Sequence, residues 1–501
     1  MSIYPLYKEV FPPTVVDNIA CAAFTSPSDV NVIVARTSFL QIYKFIEDEL
    51  ITEENPGEDD SNLTQELGKD DDQNFLFPTL KPAANSSSSK TAHLELVAQY
   101  KLFGNIASMG VVRTTSSGIN DMDSLLLSFK DAKISLLEWS LATNSIVTVS
   151  IHYYEREEFK TEFLSNTCPT DLKVDPSNRC AVLNFYGNKL AILPFRQEDT
   201  ANLSEEEIAK IASNFPYLQS IVFDVTSIDS QIKIKNVIDM EFLYGCHEPT
   251  LAILFESYQT WPGKSNSIKD TCSVITVTLD ISKQKYPVVF TRDALPQTCL
   301  KLIPVPDSMG VIIIAADAII YIDDSSLGVG IAVNTYASST TRFPLDKTYE
   351  NLGLALEGSY HVTLDNKDIL LSLSDGNLYV IKLVENEETV TGIRLEEAGN
   401  NTLPSCACKF SKGYFILGSR LGDSHLIKYY TSKKDQEKQK SNGATNSVSH
   451  PADNGGVGNR SNTPLKMSDY EFIICDTLVN VGPIVDMAFG ELAFPEVRYY
   501  L

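Results

Sequence analysis

The chain has 501 residues, with 65 acidic residues against 41 Lys and Arg and a net charge of -24 at neutral pH. Its composition, 43% hydrophobic and 21% charged, supplies enough apolar material for a sizeable core and excludes global disorder. The acidic balance excludes nucleic-acid binding by bulk charge, and the length implies one large domain with additions, or two domains.

The N-terminus, MSIYPLYKEV, has no basic stretch leading into an apolar one. No apolar run approaches the ~20 residues of a membrane helix. Nine cysteines scattered as an odd set fit a reducing compartment, so a soluble, intracellular protein is expected.

The first β-rich unit, NVIVARTSFLQIYKF, spans Asn31 to Phe45. A long insertion follows, near 47–91. Between Glu47 and Asp72 it holds 12 acids and one base, Lys69, a net of -11 that leaves about -13 for the rest of the chain. Its second half is Ser-rich, and so few branched apolar residues predict disorder. The next units are Leu125–Trp139 and Cys180–Phe195. A second insertion, near 197–213, contains SEEEIAKIA, a candidate short helix with Ser204 as N-cap and Glu207 three residues on. Four more units follow: Leu251–Asp280 with a long turn, Gly310–Asp323, Ile369–Leu383 and Tyr414–Tyr430. A third insertion, near 431–466, is rich in Ser, Asn, Gly and Lys and is also expected to be disordered.

Each unit reads as strand, tight polar turn, strand. Asp375-Gly376, Gly187-Asn188 and Gly422-Asp423 supply residues that tolerate positive φ, whereas Asp131-Ala132 and Asp317-Ala318 suit a reversal less well. One hairpin per ~40–50 residues matches a four-stranded propeller blade, apart from the gaps that hold insertions. The fold class is therefore all-β, a seven-bladed WD-repeat-like β-propeller, because radial closure removes edges that no helix here could cover. A pair of β-sandwiches is the competing arrangement. Residues 1–467 form this first propeller, and 468–501 are expected to open an incomplete second one, with Asn480-Val481-Gly482-Pro483 as a turn.

The chemistry of catalysis finds no anchor. There is no G-x-S-x-G, phosphate-loop, H-E-x-x-H or C-x-x-C pattern, and the six histidines are well separated. Asp70, Asp72 and Asn74 mimic a calcium loop, but Phe75 stands where glycine is needed. Cys406 and Cys408 share one face of a strand and read as core thiols. Gly418 to Asp423 reads as a hairpin turn, since it lacks the lysine and helix of a phosphate cradle. Trp261 could anchor a partner or simply pack on its own blade. Lys428, Lys433, Lys434, Lys438 and Lys440 form a small basic cluster diluted by Asp435 and Glu437. Catalytic, cofactor and metal residues are accordingly read as none, no cofactor or small-molecule substrate is expected, and partner-contact residues are left unassigned.

Several segments resemble one family. FGNIASM (Phe103 to Met109), FKDAKISLLEW, SIHYYE (Ser150 to Glu155), YGNKLAILPF, GSRLGDS and NVGPIVDM occur in the same order as in the large subunits of the cleavage and polyadenylation specificity factor. The last two are shared with the propeller scaffolds of a damaged-DNA-binding ubiquitin ligase and of a spliceosomal complex, the alternative reading. The resemblance implies a non-enzymatic nuclear scaffold for messenger-RNA 3′-end formation. It also implies zinc-finger and WD-repeat subunits as partners, and contact with pre-mRNA mainly through the complex. The long acidic insertion and the Ala315-Ala316-Asp317-Ala318 turn depart from the family pattern.

Overall fold

The computed structural model describes residues 12–47, 92–118, 121–130, 132–159, 170–197, 215–229, 231–232, 234–258, 264, 268–324, 328–386, 389–411, 413–431 and 465–482. These residues form seven four-stranded antiparallel sheets, each built from strands consecutive in the chain. The first strands of blades 1 to 7 are Asn18–Ala22, Ile106–Val112, Asp171–Val174, Val237–Phe242, Cys299–Pro304, Tyr360–Thr363 and Cys406–Ser411. Those of blades 1 to 5 pack in succession, that of blade 6 packs on blade 7, and that of blade 7 returns to blade 1. This is a closed seven-bladed propeller.

The seven hairpins read from the sequence are the two middle strands of each blade, for example Asn31–Arg36 with Phe39–Glu47 and Tyr414–Gly418 with Ser424–Thr431. They carry runs of branched residues because both faces of a blade are covered by its neighbours. Val311–Ala315 and Ala318–Ile322, VIIIA and AIIYI, are buried at every position. The core is thus distributed over the interfaces between blades. Ile303, Ile312 and Ile314 meet Leu371 and Ile381 between blades 5 and 6, and Leu126 and Leu136 meet Leu183 and Leu193 between blades 2 and 3.

The closing interface is leaner. Val16, Val32 and Val34 meet Cys406 and Ile416, with Cys21 and Cys408 at its inner end. Gly418 allows this contact, since a Cβ there would lie 2.4 Å from Cys406 Sγ and 2.7 Å from Val16 Cγ1. Polar bonds tie the remote segments together. Val16 N donates to Ser419 O at 3.1 Å, Ser405 Oγ to Val16 O at 2.5 Å, and Thr14 Oγ1 to Asn480 Oδ1 at 2.7 Å. Leu94 N donates to Asp476 Oδ2 at 2.8 Å, and Tyr414 Oη to Glu47 Oε1 at 2.7 Å.

Two expectations change. Tyr470–Leu478 pairs with Ser424–Thr431 as the outermost strand of blade 7, so the described part of the segment expected to open a second propeller belongs to the first ring. The hydrogen bonds of blade 7 would otherwise end on an open edge beside blade 1. Gly422 is also not at positive φ. Its loop is shaped instead by Ser419 Oγ, which accepts from Gly422 N at 2.9 Å and Leu421 N at 3.3 Å. Gly376 does take φ +90°, and the turn of blade 3 places Tyr186 and Gly187 at +51° and +80°, one residue earlier than expected.

The three insertions share a location. Each connects the third and fourth strands of its blade, in blades 1, 3 and 7. Alternating strand direction puts these connections at one end of the ring. The opposite end carries the turns between second and third strands and the segment at Asn480. The expected disorder of the insertions, and the SEEEIAKIA helix, fall outside the described residues.

In the first insertion Glu47 and Ala92 are directly paired across the strands it joins, so a short turn can replace the intervening chain. Deleting Glu54–Ala84 is expected to leave the melting temperature nearly unchanged; loss of cooperative unfolding would show that the segment supports the ring. Gly376→Val should lower the melting temperature, because positive φ costs a branched residue about 1–3 kcal/mol. The Cβ would also meet Asn401 O at 2.5 Å. Gly422→Ala should be close to neutral, since its nearest obstacle is the rotatable Thr402 hydroxyl at 2.8 Å.

Candidate functional site

The seven first strands converge on the axis, and there the alternation of a strand directs every second side chain toward the lumen. In blades 3, 4 and 5 this puts Asp171 and Lys173, Asp239 and Glu241, and Lys301 side by side. Lys173 Nζ lies 2.6 Å from Glu241 Oε1, 3.4 Å from Asp171 Oδ2 and 3.9 Å from Asp239 Oδ1. Asp239 Oδ2 accepts from Leu302 N at 2.7 Å, linking blade 4 to blade 5. Lys301 Nζ sits 4.6 Å from the centre of the Tyr360 ring of blade 6.

Burial and charge set the protonation of this belt. Burial acts to discharge Lys173, but Glu241, Asp171 and Asp239 outweigh it and hold the ammonium well above its ordinary range. Burial pushes Glu241 up to about 7 despite Lys173, with Asp239 adding to the rise. Asp239 is raised for the same first reason. Lys301 is lowered by burial. His361, on the first strand of blade 6, is held well below its usual value by burial and by the two lysines, so its imidazole is neutral. Its Nδ1 is buried without a hydrogen-bond partner among the described residues.

An open cleft of about 580 Å³ lies at one mouth of the lumen, lined by Tyr244, His361, Thr363, Cys408, Lys409 and Phe410 among others. Among the described residues its Cys408 thiol donates to Lys409 O at 3.5 Å and His361 Nδ1 has no hydrogen-bond partner, so the two are not a bonded nucleophile–base pair. Among the described residues no group of three or more His, Cys, Asp and Glu is placed to hold a metal ion, and no helix is long and apolar enough to cross a membrane. The belt is an electrostatic tie between blades.

The residues singled out from the sequence disperse. Trp261, Asp70, Asp72, Lys433, Lys434, Lys438 and Lys440 fall outside the described residues. Lys428 pairs with Glu47 at 3.4 Å across the ring seam and lies over the Tyr414 ring. Cys406 and Cys408 face the seam, as the shared-face reading implied. The belt was missed, although a signal existed: charges two apart in otherwise apolar strands, DLKV and VIDMEF, place two ionised groups on one face.

The rim opposite the insertions offers a different kind of surface. Phe103, in the link between blades 1 and 2, is fully exposed, and Leu421, Val479 and Val481 stand clear of the core near the seam. The last three are fixed by polar bonds: Asn480 N donates to Asp423 Oδ1 at 2.7 Å and Asn480 Nδ2 to Arg420 O at 3.0 Å. Rigid apolar side chains on a rim suit protein contact.

Comparison with known proteins places these features in context. Residues 85–453 match the family described as the RSE1/DDB1/CPSF1 first beta-propeller. The chain is 28% identical over 98% of its length to "Cleavage and polyadenylation specificity factor subunit 1" of Drosophila melanogaster, covering 35% of that protein. It is 28% identical over 97% of its length to "Protein cft1" of Schizosaccharomyces pombe, and 31% identical over 87% to "Protein CFT1" of Coccidioides immitis. The chain thus spans about a third of the length of the curated relatives it matches.

Lys173→Met leaves three carboxylates without their shared cation. It should destabilise by about 1–3 kcal/mol, less than the loss from a fully dry ion pair because the belt is one-fifth open to the lumen. Adding Glu241→Gln should recover part of the lost melting temperature. Glu241 itself binds a proton more readily in the folded state than at its ordinary 4.5, so its contribution to stability improves as pH falls from about 7 toward 4.5. Glu241→Gln should remove that component from a melting-temperature profile across this range; an unchanged profile would refute the assignment.

Proposed function

The chain belongs to the RSE1/DDB1/CPSF1 first β-propeller family, and from that premise we propose that it is a non-enzymatic scaffold in messenger-RNA 3′-end formation. In this reading it acts in the nucleus, organising the subunits that recognise the poly(A) signal in pre-mRNA. The observation that carries it is collinear similarity over 98% of the chain to a protein named as subunit 1 of the cleavage and polyadenylation specificity factor. The similarity to the fungal relatives is nearly as extensive.

The geometry supports a scaffold in three ways. The lumen belt is consumed in ties between blades, the one cleft described above lacks an acid–base or nucleophilic pair, and the exposed apolar side chains lie on a rim where a protein can dock. The partners proposed are the zinc-finger and WD-repeat subunits of the polyadenylation factor. Residues 1 to about 482 would form the first propeller, with a second beginning beyond it. The family description also names RSE1 and DDB1; a scaffold of a ubiquitin-ligase or spliceosomal complex is the alternative reading, and partner identity separates the two.

The test is capture of partners from nuclear extract on the immobilised chain, with identification of the bound proteins. Polyadenylation-factor subunits are expected, with reduced capture by a Phe103→Ser, Leu421→Ser variant of unchanged melting temperature. Recovery of ubiquitin-ligase or spliceosomal subunits instead would overturn the proposal. Direct RNA binding should be weak and steeply salt-dependent, because the chain remains acidic even without its most acidic run. Tight hexamer-selective binding by this chain alone, in titrations near physiological salt, would make it a direct reader of the signal.

A further inference from the structure

At the inner end of the seam three sulfurs converge from the two termini of the ring. Cys21 comes from the first strand of blade 1, and Cys406 and Cys408 come from the first strand of blade 7. All three are free thiols. Cys21 and Cys408 are half-buried neighbours in this cluster, on first strands that pack against each other, whereas Cys406 is buried, in contact with the Ser405 hydroxyl and packed under Gly418. Cys408 also lines the cleft at the mouth of the lumen, so a small solute can reach its sulfur.

We propose that Cys21 and Cys408 are an oxidisable pair which a peroxide converts to a disulfide, joining blade 7 to blade 1 and locking the ring shut. Cys408, exposed to the cleft, reacts first. Its thiolate attacks one peroxide oxygen, the O–O bond breaks, and the departing hydroxide takes up the thiol proton as water, leaving a sulfenic acid. The sulfur of Cys21 then attacks the sulfenic sulfur. The S–O bond breaks, and the hydroxyl leaves with the Cys21 proton as a second water. Two thiols and one peroxide thus give one disulfide and two waters. Burial and the neighbouring Cys408 sulfur push the Cys21 thiol well up, so it resolves the sulfenic acid slowly and does not initiate.

A second neighbouring pair, Cys272 and Cys299, between blades 4 and 5, is an internal control. Both of its sulfurs lie in the fully packed core, and burial closes them to peroxide. The position of the reactive pair gives the reaction its consequence. A cross-link at the seam ties together strands some 390 residues apart, a long loop whose closure strongly restrains the unfolded chain.

The test treats the full chain with hydrogen peroxide, digests it without reduction and maps the linked peptides. A Cys21–Cys408 cross-link is expected, with Cys272 and Cys299 still reduced, a melting temperature raised by several degrees, and reversal by dithiothreitol. Cys406→Ser should behave like the parent. Cys21→Ser should form no cross-link and accumulate a sulfenic acid on Cys408 that dimedone traps. Linkage of Cys21 to Cys406, oxidation of Cys272 and Cys299 at a similar rate, or a cross-link that leaves the melting temperature unchanged would each overturn the proposal. So would a failure of dimedone to label Cys408 in Cys21→Ser.

Discussion

The contact between blade 7 and blade 1 governs the rest of the molecule. Every blade has apolar side chains on both faces of its middle strands, so each must be covered twice, and only a closed ring covers all of them. If the seam opened, Val32 and Val34 on one side and Ile416 on the other would face water. Burial of such side chains is worth roughly 1.5–3 kcal/mol each. The inner part of the seam is built largely from valines, Ile416 and cysteines, and its outer part from Phe45, Phe410 and Tyr414. The polar ties of the seam, among them Val16 to Ser419 and Leu94 to Asp476, supplement this apolar contact. Among the described residues no blade exchanges a strand with another sheet, so closure there rests on this packing and these bonds.

The lumen follows from the same constraint. When seven first strands are drawn together around an axis, their inward side chains lose most of their water without gaining a close-packed apolar neighbour. Charged groups survive there only by finding each other. Lys173 does so with three carboxylates from two blades, and Asp239 does so with the Leu302 amide of a third. The belt therefore contributes register between blades more than net stability, since desolvation offsets much of its attraction. The raised Glu241 and the neutral His361 are consequences of crowding, and among the described residues no cluster of His, Cys, Asp and Glu is placed to hold a metal beside them.

The parts of this fold that the sequence disclosed are those governed by local rules. Isoleucine-rich pairs such as VIIIA and AIIYI, separated by a polar reversal, announce a hairpin covered on both faces, and each such hairpin proved to be the centre of a blade. The outer strands were not legible, because one face meets solvent and residues such as Ser145 to Tyr153 mix polar and apolar without a clean alternation. The inner strands were not legible because they are short and carry the charges of the belt. Gly422 misled because a glycine in a turn suggests positive φ, whereas here the Ser419 hydroxyl organises the loop. The boundary at 468 misled for a topological reason. Nothing in YEFIICDTL tells whether it finishes one ring or starts another; only the unpaired edge of Ser424–Thr431 decides.

The resulting division of labour is geometric. Connections between third and fourth strands all leave from one rim, and three of them have grown into long insertions, the first strongly acidic and the third containing the lysine cluster. Growth there costs the ring little, because the paired strand ends stay where they are. The opposite rim is held by the seam, and its exposed Leu421, Val479 and Val481 are positioned by the same Asn480 contacts that reach Thr14 at the start of the ring. A partner binding that rim would touch both ends of the propeller at once. Its binding energy would then add to closure, coupling occupancy of the scaffold to the stability of the seam.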